Sequence, residues 1–173
     1  MPTHDKSQGN EEPRPLTVTV DVAAPPPRVW SVVSDIRRTG EWSPECRKVI
    51  PIGPVRKDSM FVGLNRRGAI GWATLSRITS YIPDVEIGWE VRTNWSEWTY
   101  KLKAIEGGTR LTQTRRTPRG EAKVGVLFAR YLLGGVQGHD NELEEGMLAG
   151  LQKIKDIAET PTHSTRPAGR SVS

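Results

Sequence analysis

The chain has 173 residues, 35% hydrophobic and 26% charged, a balance that suits one soluble domain with a single core and excludes a fibre or a chain disordered throughout. Its formal net charge is +5, yet the densest basic cluster, Arg115, Arg116, Arg119 and Lys123, is interrupted by Pro118 and Glu121, so no nucleic-acid partner is expected. No stretch reaches the roughly 18 apolar residues of a membrane span, and the N-terminus lacks the apolar run of a signal peptide. A single Cys46 forms no intrachain disulfide and no zinc-ligand spacing, so a cytoplasmic protein without metal or cofactor is expected.

Residues 1–15 are rich in charge, proline and small polar side chains, and residues 160–173 repeat that character; both are expected to be disordered tails around a domain at 16–159. Leu16, Val18, Val20 and Val22 alternate with Thr17, Thr19 and Asp21, the period of a half-buried strand. Three prolines at 25–27 end it, and Pro27 suits an early helix position because its missing N–H has no role there. Val29, Val32, Val33 and Ile36 follow at helical spacing, after which Thr39, Gly40 and Ser43-Pro44 leave room for one more short helical turn.

Six strands are then predicted over 46–52, 60–66, 70–81, 85–93, 95–105 and 109–117. Gly53-Pro54, Lys57-Asp58, Arg67-Gly68, Pro83-Asp84 and Gly107-Gly108 supply the turn chemistry of an antiparallel meander. Residues 124–159 read as one long amphipathic helix, with Leu143, Met147, Leu151, Ile154 and Ala158 recurring on one face. A strand, two short helices, six strands and a long C-terminal helix have one economical α+β packing. The curved seven-stranded sheet buries its inner face against the helix, and the space between them can be a cavity.

Several segments carry a family resemblance. Strand 18–22 leading into Ala23-Ala24-Pro25, then Val29-Trp30, Ser34-Asp35 and the run Glu41 to Glu45 form the first of them. Residues 61–68, Trp72, the Pro83 turn, Trp98-Thr99-Tyr100 and Gly107 to Arg110 follow in the same order and spacing. Over about 16–159 the chain resembles the polyketide cyclase/dehydrase branch of the START-like (SRPBCC, Bet v 1-like) superfamily. The resemblance implies a helix-grip fold with a deep pocket used for lipids, sterols, polyketides and other apolar ligands; fold alone implies no one reaction.

Strand alternation selects the residues facing such a pocket. Trp89 shares a face with Val85, Ile87 and Val91; Trp98 and Tyr100 share one with Leu102; Gln113 and Arg115 share one with Leu111. A polar side chain on a buried strand face needs a partner in protein, water or ligand, which makes Gln113 and Arg115 candidates for orienting a bound molecule. The plainer alternative puts Arg115 at the open end, reaching solvent along its aliphatic stem.

Six tryptophans against two phenylalanines and three tyrosines supply large flat surfaces for core or cavity wall. Trp30 is expected in the core, Trp42 near the pocket mouth as lid or packing, and Trp72, Trp89 and Trp98 in either setting. His139, between Val136 and Leu143 on the last helix, can look into the cavity with Leu143; a satisfied structural histidine is the plainer reading. Gly134, Gly135, Gly138, Gly146 and Gly150 either break this helix near its start or, at Gly146 and Gly150, leave room above the sheet.

No serine nucleophile elbow, phosphate loop or dinucleotide fingerprint is present. The expected function is binding or transport of a small hydrophobic, lipid-like or polyketide-like molecule, by a monomer or homodimer. One alternative is a cyclase, aromatase or dehydratase in which Arg115, Gln113, Asn65 or His139 handles protons and developing charge. The other is a ligand-free interaction module.

Overall fold

The computed structural model describes residues 14–118 and 136–161, with only the helical backbone described at 136–140. The elements are β1 (Leu16–Val22), α1 (Pro26–Val33), a 3-10 helix (Ile36–Glu41), β2 (Cys46–Ile52), β3 (Met60–Arg67), β4 (Ile70–Ile82), β5 (Glu86–Val91), β6 (Glu97–Ile105), β7 (Gly108–Arg116) and α2 (Val136–Glu159). Seven antiparallel strands form one sheet in the order β1-β7-β6-β5-β4-β3-β2, so β1 and β2 are its edges. This is the expected α+β arrangement of a curved sheet around a C-terminal helix. The predicted helical residues 124–135, with Gly134 and Gly135, lie outside the described residues.

Turn chemistry fixes the hairpins. Asp58, Asp84, Gly53, Gly68 and Gly107 all adopt the left-handed backbone that Gly and Asp accommodate at tight turns. One turn departs from expectation: Trp95, read as the start of a strand, has φ 59° and belongs to the β5–β6 turn. The cause is the neighbouring Asn94, whose Oδ1 accepts from Ser96 N at 3.1 Å and Ser96 Oγ at 2.8 Å, while Trp95 N donates to Val91 O at 2.8 Å.

Two register shifts bend the sheet, one between Cys46 and Lys48 and one between Ile78 and Ser80. At the first, Arg47 and Lys48 both face solvent, which lets Cys46 and Val49 both turn inward. The curvature leaves a concave face that α2 can fill.

The packing along α2 is uneven, and this positions the site. In its C-terminal half, Leu151, Ile154 and Ala158 are buried with Val18 and Val22 of β1, Val29 and Val32 of α1, and Leu111 of β7, forming a solid core. Arg28 locks this end: its guanidinium donates to the carbonyls of Ala158 (3.2 Å), Ile157 (3.3 Å) and Thr160 (3.1 Å), satisfying acceptors that a helix C-terminus leaves open. Trp30, expected in the core, is half-buried and packs edge-on against Tyr81 at 5.2 Å between ring centroids.

Candidate functional site

In the N-terminal half of α2 the large core residues give way to Leu143, Gly146, Met147 and Gly150, and the sheet and helix separate around a cavity of about 500 Å³. Its walls are the inner faces of β2 to β7, the segment following the 3-10 helix, and α2.

Nine of the ten residues expected to face the cavity, Trp42, Asn65, Trp72, Trp89, Trp98, Tyr100, Gln113, Arg115 and Leu143, line it. The tenth, His139, belongs to the first turns of α2, and its side chain lies outside the described residues. Alternation brings the others together for a simple reason: cross-strand partners share a face. Trp89 pairs with Trp98 in the β5–β6 register, Tyr100 pairs with Gln113, and Trp98 pairs with Arg115 across β6–β7. Aromatic contacts tie the wall together, with Trp89 5.8 Å from Tyr100 and 6.2 Å from Phe61 between ring centroids.

The polar groups form a stripe on this apolar wall. Tyr100 and Gln113, 4% and 7% exposed, occupy one rung, and the next rung holds Trp98 and Arg115, with the Arg115 guanidinium 5.9 Å from the Trp98 ring centroid. Trp98 Nε1 donates to Ser96 Oγ at 3.3 Å, so that indole is held by the Asn94 turn. Burial pushes the Tyr100 hydroxyl well above its ordinary value, against the pull of the nearby Trp42 indole N–H and with a further push from Cys46. At neutral pH Tyr100 is therefore a neutral hydrogen-bond donor and acceptor, not a base. The Trp42 N–H is close enough to bias the phenol, yet Nε1 is buried with no acceptor in hydrogen-bonding geometry.

Trp42, expected near the mouth as lid or packing, is 2% exposed and packs as part of the wall. The α2 glycines explain how it reaches that depth. A Cβ at Gly150 would lie 3.3 Å from Trp42 O, and one at Gly146 would lie 3.2 Å from Pro44 Cγ. Both glycines line the cavity, and at the same positions the 42–44 segment packs closely on the helix.

Three side chains at the mouth join three elements: Arg67 at the end of β3 forms an ion pair with Glu142 of α2 and lies 3.9 Å from Glu45, just before β2. Cys46 is buried beside the cavity, and burial raises its thiol against the opposing influence of the Lys48 backbone and the Arg47 charge. Asn65 Nδ2 donates to Gly63 O and Thr74 Oγ1, both at 3.4 Å, so it is anchored within the wall. Phe61, Thr74, Ser76 and Ser96 also line the cavity and were not singled out from the sequence. Alternation from Asn65 and Trp72 carries the signal for the first three, whereas Ser96 depends on the unforeseen Asn94 turn. Among the described residues, no helix is long and apolar enough to cross a membrane.

Residues 14–156 match the family model described as polyketide cyclase / dehydrase and lipid transport. The Polyketide_cyc-like protein Cgl2372 from Corynebacterium glutamicum is 30% identical, with a TM-score of 0.56 over 85% of this chain and 93% of that one. Two more distant structures share the fold. The Zhui aromatase/cyclase from a Streptomyces species has a TM-score of 0.63 at 18% identity, covering 84% of this chain and 93% of that one. The di-domain ARO/CYC StfQ from the steffimycin biosynthetic pathway has a TM-score of 0.67 at 12% identity; the match covers 84% of this chain and 50% of StfQ, so this chain spans about half its length. No curated protein matches the chain.

Proposed function

This chain belongs to the polyketide cyclase/dehydrase and lipid-transport family, and we propose that it binds and carries a small hydrophobic molecule, lipid-like or polyketide-like, in the cavity between sheet and α2. The observation that carries this reading is the cavity itself: about 500 Å³ falls inside the range typical of small-molecule sites. Its wall offers Trp72, Trp89, Trp98 and Phe61 for apolar contact and a few convergent polar groups for orientation, the usual composition of a specific pocket. A ligand-free interaction module would have no need of such a volume.

Native purification followed by denaturation and mass spectrometry of the released small molecules tests the reading. A stoichiometric apolar compound is the expected result. An empty protein that also fails to take up apolar compounds of this size would contradict it.

One observation favours a second reading, cyclisation or aromatisation of a flexible oxygenated chain. The Tyr100–Gln113 rung and the Trp98–Arg115 rung are two residues apart, about 7 Å along the strands, and can hold separate oxygens of one folded substrate. Donors aimed at a carbonyl that becomes an enolate stabilise the developing charge. Incubation with a poly-β-carbonyl thioester distinguishes the two readings: cyclised product lost in Tyr100→Phe and Arg115→Gln supports the enzyme, and unchanged substrate supports the carrier.

A further inference from the structure

The outer surface of β2, β3 and β4 carries an ordered apolar patch. Ile50, Val62 and Leu75 form one rung across the three strands, Lys48, Leu64 and Ala73 the next, and Ile52, Met60 and Arg77 a third. Cross-strand partners project from the same face. The alternate rungs, which include Val49, Gly63 and Thr74, line the cavity, so these nine side chains point away from it. Ile50 is 43% exposed, Ile52 59%, Leu64 38% and Leu75 38%, which makes a contiguous aliphatic surface instead of isolated exposed residues.

Its border is basic on the β2 side. Lys48 closes one rung at the β2 edge and Arg66 follows Leu64 on the same face of β3, while across the sheet the third rung runs on from Arg77 to Glu90 of β5 and Glu97 of β6, and the backbone N–H of Arg92 donates to Leu75 O at 2.7 Å. Asp58 lies 3.7 Å from Arg77 and Glu90 lies 3.2 Å from Arg92, whereas no ion pair among the described residues offsets Lys48, Arg47 or Arg66. Arg47 and Arg66 also line the cavity, so the basic border runs into the mouth.

We infer that this face docks on an anionic lipid surface, with the aliphatic side chains at the headgroup–acyl boundary and the basic side chains among the headgroups. The chemistry separates this occupant from the others. A second copy would bring two Lys48, Arg47 and Arg66 margins, which no ion pair among the described residues offsets, into one contact, and this opposes face-to-face pairing. Strand addition at the β2 edge is blunted by Pro51, which has no N–H to donate. The patch is aliphatic and lies on the outer, convex face of the bent sheet, without a groove to seat a partner's side chains, while long basic stems around an apolar centre suit a membrane interface. Docking this way would set the basic mouth of the cavity beside the bilayer, a reservoir of apolar molecules.

Vesicle flotation tests the inference without reference to what the cavity holds. The full chain is expected to float with phosphatidylglycerol–phosphatidylcholine vesicles, to stay behind with phosphatidylcholine alone, and to be released by salt. Lys48→Glu and Arg66→Glu are each expected to weaken binding about fivefold or more. Ile50→Ser with Leu75→Ser should weaken it as well, and Lys103→Glu, on β6 away from the patch, should leave it unchanged. Absence of flotation, equal flotation with neutral vesicles, or equal sensitivity to Lys103→Glu would overturn the inference. A dimer in sedimentation that dissociates in Ile50→Ser with Leu75→Ser would overturn it in favour of a second copy.

Discussion

Tyr100 and Gln113 sit directly opposite each other on β6 and β7, both almost completely buried and both facing the cavity. An apolar wall that places a phenol and an amide on a single rung is suited to a ligand that carries oxygen on an otherwise hydrophobic body. Gln113→Leu keeps the volume and removes the amide. It is expected to weaken binding of anthraquinone about fivefold, the worth of one hydrogen bond near 1 kcal/mol, and to leave binding of anthracene unchanged. Paired titrations followed by tryptophan fluorescence check this.

Burial raises the Tyr100 hydroxyl above its ordinary value of 10.0, which links stability to alkaline pH. The contribution is fully present below that value and is lost as pH rises through it, because the unfolded chain then releases a proton that the folded chain keeps. Wild-type stability relative to Tyr100→Phe should therefore fall by about 1.4 kcal/mol per pH unit above this point. Urea denaturation of both proteins across that range measures the difference.

The Arg67 pairing with Glu142 and its approach to Glu45 tie the β3–β4 hairpin, α2 and the loop before β2 together at the mouth. These groups are partly exposed, so they add little stability, but opening the mouth requires separating them. Arg67→Ala should speed both association and release of a cavity ligand while changing the unfolding midpoint little. Raising salt should reproduce the effect in the wild type and not in the variant. Stopped-flow fluorescence reads both rates.

At the far end of the sheet, β7 begins against the end of β1 so closely that a Cβ on Gly108 would lie 2.0 Å from Val22 O. Backbone cannot yield there without disturbing the β1–β7 ladder, so Gly108→Ala should destabilise by about 1–3 kcal/mol. Thermal unfolding measures the loss, with Gly71→Ala, whose nearest neighbour would be Asn65 O at 3.6 Å, as the tolerated comparison.

The sheet was legible because period-two alternation and turn residues are local signals. The expected β1 and β2 boundaries match those observed, and the predicted Gly and Asp turns at 53, 58, 68, 84 and 107 carry the left-handed backbone. Cavity-facing positions such as Trp89, Tyr100 and Gln113 followed from the same alternation. Most of what could not be read depends on partners far along the chain or on packing: the bulges at β2 and β4 have no compositional mark, and Arg28 meets carbonyls 129–132 residues away. The Trp95 turn is a local exception, set by the Asn94 side chain accepting from Ser96 two residues on, where strand alternation masks the turn. Gly146 and Gly150 showed that large side chains were missing from α2, but not that Pro44 and Trp42 fill the space.

The central claim is that the cavity accepts an apolar molecule, and a titration with the fluorescent apolar probe N-phenylnaphthylamine tests it most directly. The wild type is expected to bind at a single saturable site, and Leu143→Trp, which projects a larger ring into the same volume from α2, is expected to abolish that binding with the unfolding midpoint retained. Absence of saturable binding in the wild type, or binding that Leu143→Trp leaves unchanged, would contradict the claim.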